Sequence, residues 1–184
     1  MQILKPLFAL AQMIGLVQSY NYTYVPEVDL SQYDGLWYQV YGDLIDETFE
    51  GVDCKCVTAM YEQLDGGNIS VMNREISRDG TVQEIYGTAF YLDENTGGEL
   101  SVVFDDVPSV PVGSYWIIEL GPVVDDQYDY AIVSDNKQAG LFVLTRDVET
   151  FFEEYDDDVQ DTLELMGFTK LYNKPILTNQ DECF

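Results

Sequence analysis

The sequence contains no histidine and few basic residues, and both shortages exclude classes of function. Only 8 of the 184 residues are Lys or Arg, against 34 Asp or Glu, and the formal net charge is −26 at pH 7. Such a charge repels phosphate backbones, so nucleic acid is excluded as a partner, and its simplest role is solubility. Without histidine a Ser/His/Asp catalytic set cannot be assembled. We therefore predict no catalytic residues, no metal site and no cofactor.

Cysteine is also scarce, with three residues in the whole sequence. Cys54 and Cys56 form a Cys-x-Cys pair, which is a poor zinc site because four ligands cannot be collected around it. The third, Cys183, lies near the C-terminus. This pattern favours an oxidising compartment and one long-range disulfide between the pair and Cys183, which would stabilise the fold by about 4–5 kcal/mol. The pattern alone leaves open which cysteine of the pair is bonded.

No apolar run is long enough to favour a stable membrane span, but the N-terminus resembles a targeting segment. One early cation, Lys5, precedes an apolar run over residues 7–17, and the small residue Ser19 follows. We therefore predict that residues 1–19 are a secretory signal peptide and that residues 20–184 form a single domain. The expected location is extracellular, or another compartment reached through the secretory pathway.

Two Asn-x-Ser/Thr sequons are consistent with passage through the secretory pathway. They begin at Asn21 and Asn68. We predict that both carry glycans in a host that glycosylates.

Strand-like segments follow almost without interruption from residue 35 to residue 146. Eight short runs rich in aromatic and β-branched residues are separated by glycine-containing turn signals such as "DGG" at 65–67 and "RDG" at 78–80. Such a series predicts an all-β, eight-stranded, antiparallel up-and-down barrel. A barrel of this size either fills with side chains or holds one small ligand. The strand pattern does not decide between these two possibilities.

After the strands the apolar period changes to that of a helix. Asp147 can cap its start and Gly167 can end it, and we expect it to pack outside the barrel. The acidic residues 153–158 are interpreted as a solvated face, because the spacing of a calcium loop is missing. The apolar face is predicted to consist of Val148, Phe152, Tyr155, Val159, Leu163 and Met166.

Three segments resemble the sequence blocks of the lipocalin family. They are "GLWYQV", "QYDYAIVSD" and "LFVLTR", in the family's order and intervals. The stretch "CVTAMYEQLDGGNISVMNREISRDGTVQEIYGTA" is similar to the corresponding part of apolipoprotein D and of bacterial outer-membrane lipocalins. The resemblance covers nearly all of residues 28–183.

The resemblance implies a structural cap and one disulfide pairing. Trp37 would plug the closed end of the barrel, Arg146 would lie across its ring, and Gly35 would let the entering chain pass beneath. Such a cation–π pair contributes about 0.5–2 kcal/mol. The family pattern favours Cys56–Cys183 over Cys54–Cys183, so that Cys54 would remain a thiol or link two chains in a homodimer.

The resemblance also implies a ligand site at the open end of the barrel. The period of two in a strand supports part of this set independently, because Phe142 and Arg146 must share a face. The alternatives are ordinary barrel filling for the aromatic residues and an exposed position on the rim for Glu75. The implied ligand-binding residues are Tyr61, Asn73, Glu75, Phe104 and Phe142.

A secreted carrier of a small hydrophobic ligand, such as a fatty acid, sterol, carotenoid or bilin, is the function that the resemblance implies. The first alternative is a lipocalin-type enzyme, an isomerase or de-epoxidase, that would use the thiol of Cys54 or the carboxyl group of Glu75 on a bound lipid or pigment. The second alternative is an acidic extracellular structural protein that needs no cavity.

Overall fold

The structure is a computed structural model that describes residues 22–44, 54–92, 97–105 and 112–183. The predicted signal peptide and the sequon at Asn21 lie outside the described residues. Within these ranges no helix combines the length and the apolar character that crossing a membrane would require.

The described part of the chain consists mainly of β-strands. The helices are α1 (Leu30–Tyr33), α2 (Val148–Glu154) and α3 (Asp156–Met166). The strands are β1 (Gly35–Gly42), β2 (Lys55–Gln63), β3 (Ile69–Ile76), β4 (Val82–Phe90), β5 (Glu99–Phe104), β6 (Gly113–Leu120), β7 (Val123–Val124), β8 (Gln127–Tyr128), β9 (Tyr130–Ser134), β10 (Leu141–Thr145) and β11 (Ile176–Leu177).

Eight of these strands close into a barrel. Strands β1 to β6 pair antiparallel in chain order, each with its neighbour. Strand β6 then pairs with β9, β9 with β10, and β10 with β1, which closes the barrel. The predicted barrel of eight antiparallel strands is therefore confirmed. The short hairpin of β7 and β8 and the added strand β11 were not predicted.

Cross-strand register decides which side chains face the inside of the barrel. Trp37 is opposite Ala59, Ala59 opposite Asn73, and Asn73 opposite Ile85. Directly paired residues project from the same face of a sheet. Because Trp37 belongs to the cluster buried inside the barrel, this whole row faces inward. Other members of the inner cluster are Tyr61, Val71, Leu100, Ile117, Val133 and Leu144.

The C-terminal helical region packs outside the barrel, as expected, but as two helices. The break lies at Tyr155, which separates α2 from α3. Asp147 caps α2 by accepting a hydrogen bond from the backbone N–H of Thr150 (2.7 Å), and Gly167, with φ +93°, ends α3. Both predicted helix ends are confirmed.

One residue of the predicted apolar face is wrong. Phe152 is 40% exposed, whereas its neighbour Phe151 is fully buried. Phe151 and Phe152 follow Val148 by three and four residues, and both spacings keep a helical residue on the same face, so spacing alone does not decide which of the two is buried. Val159, Leu163 and Met166 are buried as predicted, and Val148 and Tyr155 pack partly buried against the same cluster.

The C-terminal segment is attached beside the start of β2. Strand β11 pairs with Tyr41 and Gly42 of β1, and the Gln180 side-chain N–H donates to the carbonyl oxygens of Gln39 (2.8 Å) and Val57 (2.7 Å). One glutamine thus bridges β1 and β2 where these strands do not pair with each other.

The disulfide joins Cys56 to Cys183, 127 residues apart, so the preferred pairing is confirmed. This bond lies within one chain, and a homodimer through Cys54 receives no support.

The buried position of Phe151 leads to a prediction with its neighbour as the matched control. Phe151→Ala should lower the free energy of unfolding by about 3–5 kcal/mol, because it leaves a cavity between α2 and the barrel. Phe152→Ala should cost less than about 1 kcal/mol, because this ring keeps much of its surface in water. Urea denaturation of the three proteins measures both values. Equal losses in the two variants would contradict the burial of Phe151 in preference to Phe152.

Candidate functional site

The closed end of the barrel is built around Trp37. The indole is fully buried and its N–H donates to the carbonyl oxygen of Tyr33 (2.9 Å). The guanidinium carbon of Arg146 lies 3.7 Å from the centroid of the Trp37 ring. The cap implied by the sequence is therefore present as a cation–π contact.

Arg146 also donates hydrogen bonds to backbone carbonyl groups around the cap. Desolvation lowers its pKa to about 10, so the guanidinium remains charged at neutral pH. Gly35 is required beside it, because its φ is +102° and a Cβ there would lie 3.3 Å from the Arg146 Nη1 atom. The accepting carbonyl oxygens belong to Leu36 (2.6 Å), Asp34 (2.7 Å), Tyr33 (3.1 Å), Gln32 (3.2 Å) and Tyr128 (3.3 Å).

Three tyrosine hydroxyl groups form a hydrogen-bonded layer above the cap. The Tyr115 hydroxyl donates to that of Tyr61 (2.8 Å) and lies 2.7 Å from that of Tyr33. Burial raises the pKa of Tyr33 and of Tyr115 well above the usual value. Tyr61, predicted as a wall of the ligand site, is thus part of the floor above the cap.

Two members of this layer, Tyr33 and Tyr115, were missed by the sequence reasoning. A signal for Tyr115 was available, because it precedes the inward-facing Ile117 by two residues. For Tyr33, which lies in a short helix before β1, strand periodicity gives no signal.

All five residues implied as ligand contacts lie on the inward face. Tyr61 is paired with Gly35 and Val71. Val71 is paired with Gly87 and Gly87 with Phe104, so Phe104 lies in the same inward-facing row. The other aromatic residue, Phe142, is opposite Val133 of the inner cluster. Asn73 is in the row of Trp37, and Glu75 follows it by two residues on the same strand. Whether they contact a ligand stays a prediction.

Glu75 lies inside the barrel and not on an exposed rim, since only 7% of its surface is exposed. The thiol of Cys54 forms a hydrogen bond with its carboxyl group, and burial raises its pKa. The Oε2 atom of Glu75 and the Oδ1 atom of Asn73 are buried without a hydrogen-bonding partner among the described residues. Two polar atoms near the open end of the barrel therefore lack partners in the part of the chain that the structure describes.

The remaining predicted site lies on the surface. Asn68 is exposed in the turn between β2 and β3, where a glycan would meet no obstacle from the barrel; its glycosylation stays a prediction. Within the described ranges, no group of three or more Cys, Asp or Glu side chains is arranged to hold a metal ion.

Comparisons of the sequence find a family and several relatives. A family model described as a lipocalin-like domain matches residues 28–173. Apolipoprotein D of Mus musculus is 33% identical over 105 residues, 57% of this chain and 50% of that protein. The outer membrane lipoprotein Blc of Vibrio cholerae is 35% identical over 123 residues, 66% of this chain and 67% of that protein. The chain spans about half the length of the apolipoprotein D sequence.

Solved structures share the fold at low sequence identity. Insecticyanin from the tobacco hornworm Manduca sexta has a TM-score of 0.65 and 18% identity, and the match covers 89% of this chain and 86% of that one. Japanin from Rhipicephalus appendiculatus, bound to cholesterol, has a TM-score of 0.54 and 14% identity, with 85% and 97% covered.

The contacts of Arg146 lead to a prediction about the cap. Arg146→Lys should lower the free energy of unfolding by at least about 2 kcal/mol, because an ammonium group cannot serve the same set of carbonyl oxygens while lying flat on Trp37. The control Arg78→Lys, in an exposed turn, should change it by less than about 0.5 kcal/mol. Thermal and urea unfolding of both variants tests this. Indistinguishable stability of the two would show that the cap is not held by guanidinium geometry.

Proposed function

The chain belongs to the lipocalin family, and on that premise we propose that it is a secreted carrier that binds a small hydrophobic ligand inside the barrel. The resemblance carried by the three sequence blocks is confirmed, and with it the relation to apolipoprotein D and an outer-membrane lipocalin. Secretion is supported by the N-terminal segment and by the disulfide within the chain.

One observation supports a ligand more than any other. The Asn73 Oδ1 and Glu75 Oε2 atoms are buried on the inward face without partners among the residues that the structure describes. A buried polar group without a partner costs about 1–3 kcal/mol, and a bound ligand with a polar end can relieve this cost. Phe104 and Phe142 line the same face with apolar surface. Apolar walls with a few placed polar groups are typical of small-molecule sites.

The carrier function predicts that the protein retains an unchanged apolar compound. The purified protein is incubated with a total lipid extract, repurified by gel filtration and extracted for mass spectrometry. We expect one compound or a narrow class of compounds, at up to about one molecule per chain, and none with protein unfolded in urea as the control. A chemically converted compound would favour the lipocalin-type enzyme, and an empty protein would favour the structural role.

The carboxyl group of Glu75 indicates which head groups are preferred. Because burial raises its pKa, the carboxyl group is more often neutral than an exposed one, and in that form it can donate a hydrogen bond to a hydroxyl or carbonyl group. Once ionised, it repels a fatty-acid carboxylate across a poorly screened interior. We therefore propose that neutral ligands with a polar end, such as sterols or carotenoids, are preferred to fatty acids. Cholesterol in japanin, a structural neighbour, is a ligand of this class.

This preference predicts that Glu75→Gln raises the affinity for oleate by about tenfold, because one repelling charge is removed, and leaves the affinity for cholesterol nearly unchanged. In the unmodified protein, oleate affinity should fall as the pH rises through the raised pKa of Glu75. Quenching of Trp37 fluorescence measures binding, since Trp116 stacks on Tyr22 outside the barrel.

Glu62→Gln is the matched control, because Glu62 is exposed on the outer face of β2, and it should leave both affinities unchanged. Equal oleate affinity in the Glu75→Gln variant and the unmodified protein would remove Glu75 from ligand selection.

A further inference from the structure

A thiol and a carboxyl group meet at the open end of the barrel. Cys54 is half-buried immediately before β2, and its thiol hydrogen-bonds to the carboxyl group of Glu75. Cys54 takes no part in the disulfide, which uses Cys56 and Cys183. The carboxylate form of Glu75 is a base within reach of the thiol proton, which is the geometry that a general base requires.

A β-bulge turns Cys54 toward the inside of the barrel. The register of β2 on β3 shifts between Lys55 and Thr58, and Cys56 has φ +59°. In a regular strand, the alternation from the inward-facing Ala59 would place Lys55 inward and Cys54 outward. The extra residue reverses this alternation, which accounts for the contact between Cys54 and the inward-facing Glu75.

We propose that Cys54 and Glu75 form a covalent capture site for lipophilic α,β-unsaturated carbonyl compounds. The inference rests on the proposed carrier function, because the barrel is what brings an apolar electrophile to the thiol. The site would hold a reactive lipid through a covalent bond where the carrier alone would release it.

The reaction is an addition that needs no other reactant. Ionised Glu75 accepts the proton of the Cys54 thiol while sulfur forms a bond to the β-carbon of the carbonyl compound. The carbon–carbon π pair moves to the α-carbon and the carbonyl oxygen as an enolate. Glu75 then returns the proton to the α-carbon. One S–H adds across one double bond, nothing is oxidised or reduced, and the carboxylate is regenerated.

Three further observations support capture of a lipid. Glu75 is buried and its Oε2 atom has no partner within the described part of the chain, so the base is held in a poorly solvated place beside the nucleophile. Asn73, whose Oδ1 atom also lacks a partner in the described ranges, lies two residues away on the same face, about 7 Å along the strand. Its amide N–H groups can hold a carbonyl oxygen there. The inward Phe104 and Phe142 favour an apolar chain.

The test uses trans-2-nonenal as the probe and intact mass as the readout. The unmodified protein should gain one nonenal per chain, located on Cys54 by peptide mapping, and faster than glutathione reacts at the same pH. Cys54→Ser should gain none. Glu75→Gln should react at least about tenfold more slowly, since a positioned base contributes at this scale or above. Glu75→Asp, which keeps a carboxylate, should be faster than Glu75→Gln, and Glu62→Gln should match the unmodified protein.

Several outcomes would overturn the proposal. They are an adduct on lysine in place of Cys54, a rate no greater than that of glutathione, or equal rates in Glu75→Gln and Glu62→Gln. Binding of 1-nonanol, followed by Trp37 fluorescence, separates this failure from failure of the carrier. Nonanol binding without adduct formation would overturn the capture site and leave the carrier, whereas absence of both would overturn both.

Discussion

The barrel depends on the guanidinium group of Arg146, because this group joins the last strand of the barrel to the segment that enters the first strand. Arg146 follows β10, and most of the carbonyl oxygens that it binds belong to α1 and the start of β1. Closure of the sheet requires β10 to pair with β1, and the charged donor holds these segments together while covering the Trp37 ring. Once β1 is fixed in register, cross-strand pairing places Ala59 and Asn73 in the same inward-facing row as Trp37.

Polar groups are buried at both ends of the barrel. At the closed end the indole of Trp37 donates to a carbonyl group and the hydroxyl groups of Tyr61 and Tyr115 bond to each other, whereas the Asp34 Oδ1 atom beside the cap is buried without a partner among the described residues. Toward the open end, Asn73 and Glu75 bury oxygen atoms that have no partner in the described ranges of the chain. An unsatisfied polar atom in the interior is costly, and at Asn73 and Glu75 a ligand inside the barrel could relieve that cost.

Short-range sequence patterns predicted the features that depend on interactions between residues close together in the sequence. The alternation of strand residues and the glycine turns gave eight strands, and Asp147 and Gly167 marked the helical region because caps act within one turn. The break at Tyr155 was missed because the apolar period runs through it and only packing on the barrel shows that Phe151, and not Phe152, is buried. Periodicity likewise gives no sign of a bulge, since the reversal at Cys56 depends on β3 and the C-terminal segment.

The disulfide connects the stability of the fold to its proposed chemistry. Cys56 is at once the bulged residue of β2 and the half of the disulfide that binds the C-terminal segment, and its backbone N–H donates to the carbonyl oxygen of Asn179 (2.9 Å). The start of β2 is therefore held from the C-terminal side and, through pairing of Lys55 with Ile76, from β3. Because Cys54 lies two residues before Cys56, its backbone is restrained as well. A nucleophile meets its base reproducibly only when the backbone that carries it is fixed, and here a structural bond supplies the restraint.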